Sequence, residues 1–158
     1  MPLAVTHILT PLILSDIYRD YIAKKKFNLR YILVAGLAGL LPDIDIAIAW
    51  VLRLFSSVNV SDIHRTFTHT LWFPLIFLIL FFITKNYDFK FLKKQKLKLN
   101  YIFLALAFGT LIHILLDVGT GLLPLGYFQG TFFAGLDAIL LTLWLIHEEL
   151  KHRISDYI

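Results

Sequence analysis

The sequence predicts an all-α integral membrane protein: a bundle of about five membrane helices, with a short re-entrant or interfacial helix after a "PDID" break. Three observations predict it. Apolar residues make up 58% of the chain and charged residues only 16%, against about 25% charged in an ordinary soluble domain. Several apolar runs approach the ~20 residues that a helix needs to cross a bilayer. The net charge of +4 is gathered into a few short stretches, which in a membrane protein report orientation before any nucleic-acid partner. No nucleic acid is expected.

At 158 residues the chain reads as one domain. It has no cysteine, so disulfides and thiolate metal sites are excluded. The start, "MPLAVTHILTPLIL", lacks the basic region and small-residue cleavage site of a signal peptide.

Taken in order, residues 3–21 form the first apolar stretch, interrupted by Pro11 and ending in the polar "SDIYRDY". Residues 30–55 are broken by "LPDID", because Pro42 is a poor residue for a helix interior. A membrane helix is expected to end near Leu41, followed by the interfacial or re-entrant helix over residues 44–55. Residues 66–84 and 99–118 are long enough to span, and residues 132–146 span with their flanks. Gly119 and Gly121 are expected to end the fourth span, leaving "GTGLLPLGYFQGT" as an outer loop or lid. No internal repeat is visible.

The basic stretches are "KKKFNLR" at 24–30, "KNYDFKFLKKQKLK" at 85–98 and the tail "HEELKHR". The positive-inside rule places all three, and the C-terminus, in the cytoplasm. The second stretch reads as a solvated loop, with anionic lipid headgroups as the alternative ligand.

On that map the costly polar residues gather on the outer side. His7 lies near the outer end of the first helix; Asp43 and Asp45 lie where the second reaches the outside. His64 and His69 flank the start of the third, His113 and Asp117 occupy the last turns of the fourth, and Asp137 lies early in the fifth. An aspartate at a membrane-helix centre costs roughly 2.5–3.5 kcal/mol. Asp43, Asp45 and Asp117, deep and unpaired, would together cost on the order of 8–10 kcal/mol. Arg53 and Arg65 are the fixed cations on that side, against four carboxylates counting Asp137. One or two divalent metals would close the deficit.

Spacing agrees. "HILLD" sets His113 and Asp117 at i and i+4, on one helical face. "PDID" sets two carboxylates at i and i+2, which in extended backbone face the same way. His64 and His69 are five apart and cannot share a face of a regular helix, so His64 is expected in a loop and His69 in the first turn. Imidazole with carboxylate suits zinc, and also manganese or iron. Asp137 reads as a ligand, as a partner of a ligand or, preferably, as the counter-ion of Arg53 or Arg65. Arg65 either grips a phosphate or carboxylate or offsets Asp62. Asp16, Arg19 and Asp20 fall on the cytoplasmic side and read as structural. "HEELKH" is not the zinc-protease HExxH, because Lys151 stands where the second histidine belongs.

"TH" at 6–7, "LLPDID" at 40–45, "HRTFTH" at 64–69 and "HILLD" at 113–117 occur in an order that resembles the YdjM-like family. Its members are described as predicted membrane-bound, metal-dependent hydrolases, distantly similar to zinc-dependent phospholipase C and the fungal single-strand nucleases. The resemblance implies metal ligation by His7, Asp43, Asp45, His64, His69, His113 and Asp117. The phospholipase C pattern adds an HxxxE pair and an N-terminal tryptophan; here Met1 replaces the latter and Lys151 follows His147 at i+4. One or two ions, with zinc favoured, are therefore expected rather than three.

The expected activity is hydrolysis of a phosphoester in a lipid or amphiphile by metal-activated water at the outer face of the plasma membrane. Asp43 or Asp45 would be the base and Arg65 the phosphate ligand. The rivals are a metal-ion or proton transporter and a structural membrane protein with a stabilising metal.

Overall fold

The computed structural model describes residues 4–23, 27–57, 67–87, 89, 92, 97–122 and 129–151. Among them every regular element is helical, as expected. The six α-helices are α1 (Ala4–Ile17), α2 (Arg30–Ala38), α3 (Ile44–Arg53), α4 (Trp72–Ile83), α5 (Leu99–Gly121) and α6 (Gln129–Lys151). A π-helical turn, Tyr18–Ile22, extends α1, and a 3-10 turn, Thr84–Asn86, extends α4.

Two helices are long and apolar enough to cross a membrane, over Leu99–Gly121 and Gly130–Leu150. At 1.5 Å per residue each reaches about 30–35 Å, the thickness of a hydrocarbon core. The other four are shorter, and α2, with nine residues, rises only about 14 Å. Large apolar side chains face outward around the bundle: Leu37, Trp50, Leu54, Phe55, Trp72, Phe82 and Leu150 are all exposed. A soluble monomer rarely shows so much; in lipid this surface is solvated.

α5 is the central helix, with α1, α2 and α4 against it, while α6 packs on α1. Small residues make this possible. Ala105, Ala107, Gly109 and Thr110 are buried on α5, and Ala35, Gly36 and Ala38 on α2. Association of membrane helices depends on such close contact, because lipid offers no hydrophobic drive between helices. A Cβ added at Gly109 would overlap the Ala35 carbonyl oxygen and lie 2.6 Å from Ala38 Cβ. A Cβ at Gly39 would overlap the His7 carbonyl oxygen.

That second crossing has a local cause. Pro11 lies inside α1 and has no N–H to give the carbonyl four residues back, which is His7. The Gly39 backbone packs directly over that carbonyl. Tyr31 adds a tie at the other end of α2, its hydroxyl accepting the Lys98 N–H at 2.6 Å as α5 begins.

Two local expectations change. The "PDID" backbone is helical rather than extended: Asp43 has φ −76° and ψ 0°. A run of i→i−3 bonds, Gly39 to Gly36, Leu40 to Leu37, Leu41 to Ala38, Asp43 to Leu40 and Ile44 to Leu41, carries the chain through Pro42 and into α3. α4 starts at Trp72, later than expected, so His69 lies in the preceding turns and not in the helix. Pro74 fixes that start, because proline fits a first turn, where no N–H is required, and breaks a later one.

Candidate metal centre

Five polar side chains from separate parts of the chain meet at one end of the bundle. His113, on α5, is fully buried. Its Nδ1 lies 2.6 Å from the Gly39 carbonyl oxygen, which can only accept, so Nδ1 carries the proton and Nε2 presents a lone pair. Thr68 donates from Oγ1 to Asp45 Oδ2 at 2.7 Å. Its oxygen therefore remains the acceptor for His69 Nδ1, 3.2 Å away, and Asp45 Oδ2 stands 3.5 Å from the same nitrogen. His69 Nε2 is thus a lone pair as well.

Those two Nε2 atoms are 3.2 Å apart. Asp43 Oδ1 lies 3.4 Å from His69 Nε2 and 3.7 Å from His113 Nε2. Asp117 Oδ2 lies 3.6 Å from His69 Nε2 and 3.8 Å from His113 Nε2. Two lone pairs and two carboxylates converging this closely repel each other unless a cation or a shared proton sits among them. The separations suit one. Ligands held at ~2.0–2.2 Å around tetrahedral zinc stand ~3.3–3.6 Å from each other.

His7 completes the cluster. Its ring stacks on His113 with centroids 3.8 Å apart, and its Nε2 lies 3.4 Å from Asp117 Oδ1. The potential donors form two overlapping groups, His7–His113–Asp117 and Asp43–His69–His113. Asp117 offers one oxygen to His7 and the other to His69 and His113, an arrangement open to one ion or two.

A family model for the YdjM inner membrane protein matches residues 1–154. The chain belongs to that family. Neither a curated protein nor a solved structure matches it significantly. Membership in a family of inner membrane proteins accords with the two spanning-length helices.

In this YdjM-family chain, His7, Asp43, His69, His113 and Asp117 come together as groups able to hold a metal ion. Asp45 is brought to the same imidazole from the opposite side. The "PDID" carboxylates do not face the same way: Asp43 meets His69 at Nε2 and Asp45 meets it at Nδ1. The helical backbone at Asp43 separates them. Asp43 begins α3 without making a side-chain cap, leaving its carboxylate for the imidazoles. His64 and Arg65 lie outside the described residues.

Asp137 is expected as the counter-ion of Arg53 or Arg65, and Arg65 lies outside the described residues. Asp137 is buried and accepts a 2.5 Å hydrogen bond from Thr6 Oγ1, whereas Arg53 is exposed. A buried carboxylate on α6 is thereby tied to the residue preceding His7. Sequence reasoning passed over Thr6, Thr68 and the Gly39 carbonyl. The two threonines stand beside histidines in the "TH" pairs at 6–7 and 68–69, and that repetition was the available signal.

Proposed function

We propose that this chain is a membrane-embedded, metal-dependent hydrolase that cleaves a phosphoester in a lipid or amphiphilic substrate at the extracytoplasmic interface. The reading rests on one observation: imidazole lone pairs and carboxylates from α1, the α2–α3 turn, the turns before α4 and α5 point at a common centre. Donors of this type favour zinc, with manganese or iron as alternatives.

When bound, a divalent ion supplies acidified water and a polarised phosphoryl oxygen at near-neutral pH. The side chains have separable tasks. Gly39 and Thr68 fix the tautomers of His113 and His69, and such partners orient ligands and raise their basicity. Asp45, held by Thr68, supports His69 from behind. Asp43 is the most exposed of the donors, its side chain 26% accessible against 9% or less for the others. That favours Asp43 over Asp45 as the general base towards an arriving substrate. Arg65, four positions before His69 in sequence, is assigned to a phosphate oxygen.

The surroundings support an amphiphile. α3 and the two residues after it expose Ile48, Trp50, Val51, Leu54 and Phe55, and Phe67 and Trp72 are exposed on either side of His69. Tryptophan favours the level of the membrane interface. The positive-inside rule supports five crossings, a cytoplasmic C-terminus and an outward-facing site. Transporter sites usually lie at the midplane between repeats, and no internal repeat is visible in this sequence.

Elemental analysis of detergent-purified protein tests the metal, with His113→Ala/Asp117→Ala as the comparison. At this centre wild type is expected to hold one or two equivalents of a transition metal that the variant lacks. A folded wild type with none ends the proposal. A panel of phosphoester, carboxylic ester and amide lipids then tests the chemistry, with turnover of the phosphoester abolished in Asp43→Asn. Because the chain has no cysteine, single introduced cysteines report orientation through membrane-impermeant labelling.

A further inference from the structure

A second group of metal-type donors lies about 14 Å from His7 along α1, nine residues at about 1.5 Å each. Asp16, at the end of α1, meets His147 and Glu148 of α6, and one ligand atom from each lies within 4.8 Å of the other two. His147 Nδ1 stands 3.3 Å from Asp16 Oδ2 and 3.6 Å from Glu148 Oε1. These are again the separations of atoms sharing one small cation.

The Glu148 carboxylate needs an explanation. Asp16 is 1% exposed and Glu148 is 0% exposed. Neither Glu148 oxygen has a hydrogen-bond donor among the described residues; the carboxylate faces Asp16 and the edge of the imidazole. A buried carboxylate such as Glu148, held against a second one and without a donor among the described residues, requires a positive charge or a shared proton beside it.

We propose that Asp16, His147 and Glu148 form a second divalent-metal site, at the opposite end of α1 from the His113 cluster. One imidazole with two carboxylates suits a first-row transition ion of the zinc or manganese type. The site joins residues far apart in sequence, and α6 has its principal helix contact with α1. A filled site therefore clips the C-terminal part of α6 to the bundle. Thr6 with Asp137 already ties the other end of the same pair. His147 keeps a quarter of its side chain accessible, so the ion can reach the site from outside the bundle. The inference does not depend on hydrolysis at the His113 cluster.

Cobalt(II) is the probe. Full-length protein in detergent, stripped with chelator, is titrated with Co2+ and followed by equilibrium dialysis and visible absorbance. In the His113→Ala/Asp117→Ala background one equivalent is expected to remain, and adding Glu148→Gln is expected to remove it. In the otherwise wild-type chain, Glu148→Gln lowers the stoichiometry by one and leaves the spectrum of the remaining cobalt unchanged. That comparison holds even if the double-alanine background misfolds. Unchanged stoichiometry in Glu148→Gln overturns the proposal. So does a protonated-carboxyl infrared band that vanishes in Glu148→Gln without loss of cobalt, because the pair then shares a proton. Equal cobalt retention in Asp16→Asn overturns it as well.

Discussion

Replacing Gly109 by alanine tests how closely the bundle must pack to build the metal centre. The new Cβ would stand 2.6 Å from Ala38 Cβ and 3.1 Å from the Gly39 nitrogen, and would overlap the Ala35 carbonyl. Carbon atoms prefer about 3.5–4.0 Å, and the obstacles include rigid backbone, so α5 must withdraw from α2 by about 1 Å. Overpacking of this kind costs about 1–3 kcal/mol, which for a chain of this size lowers Tm by roughly 2–12 °C. His113 lies one turn beyond Gly109 on the same helix. A withdrawal of about 1 Å would stretch its 2.6 Å contact with the Gly39 carbonyl past hydrogen-bonding range. Loss of such an orienting partner weakens metal binding by roughly 10–100-fold. Thermal unfolding and chelator-competition titration with zinc measure the two effects. Gly135→Ala is the control, because a Cβ there meets nothing within 4 Å; it is expected to be neutral or slightly stabilising. A Gly109→Ala protein with wild-type Tm and zinc affinity would refute the argument that this crossing sets the site.

Thr68→Val removes the hydroxyl between Asp45 and His69; zinc affinity is expected to fall roughly 10–100-fold with helical content by circular dichroism unchanged. Thr6→Val strips the buried Asp137 of its donor and is expected to destabilise by about 1–3 kcal/mol. Thr6→Val/Asp137→Leu should regain much of that in thermal melts, since two apolar partners leave nothing unsatisfied. Stripping metal with a chelator lowers Tm, because a ligand at 100-fold its Kd contributes about 2.7 kcal/mol, and readdition restores it.

The all-helical class and most of the donor set were legible in the chain. Apolar runs without alternation can satisfy their backbone in lipid only as helices. His113 and Asp117 could be paired from spacing alone, since a regular helix fixes that geometry. Where the helix is irregular, spacing misled. The i+2 rule for Asp43 and Asp45 assumed extended backbone, and the turn through Pro42 set the two carboxylates on opposite edges of His69 instead. For Asp137, charge counting pointed to Arg53 or Arg65 and gave no hint of the hydrogen bond that Thr6 supplies. The Asp16–His147–Glu148 group was illegible for a plainer reason: its members lie 131 and 132 positions apart, and only the packing of α6 on α1 joins them.

Composition by itself determined that this chain is helical and lipid-facing, because hydrocarbon tolerates few other backbones. It also determined which residue types were too costly to bury alone. The tertiary structure decided which of them meet, which ring nitrogen each imidazole presents, and that they form two clusters rather than one. Those outcomes depend on how closely helices cross. Crossing distance is set by the missing Cβ of Gly39 and Gly109 against backbone contributed by other helices, which no local pattern encodes.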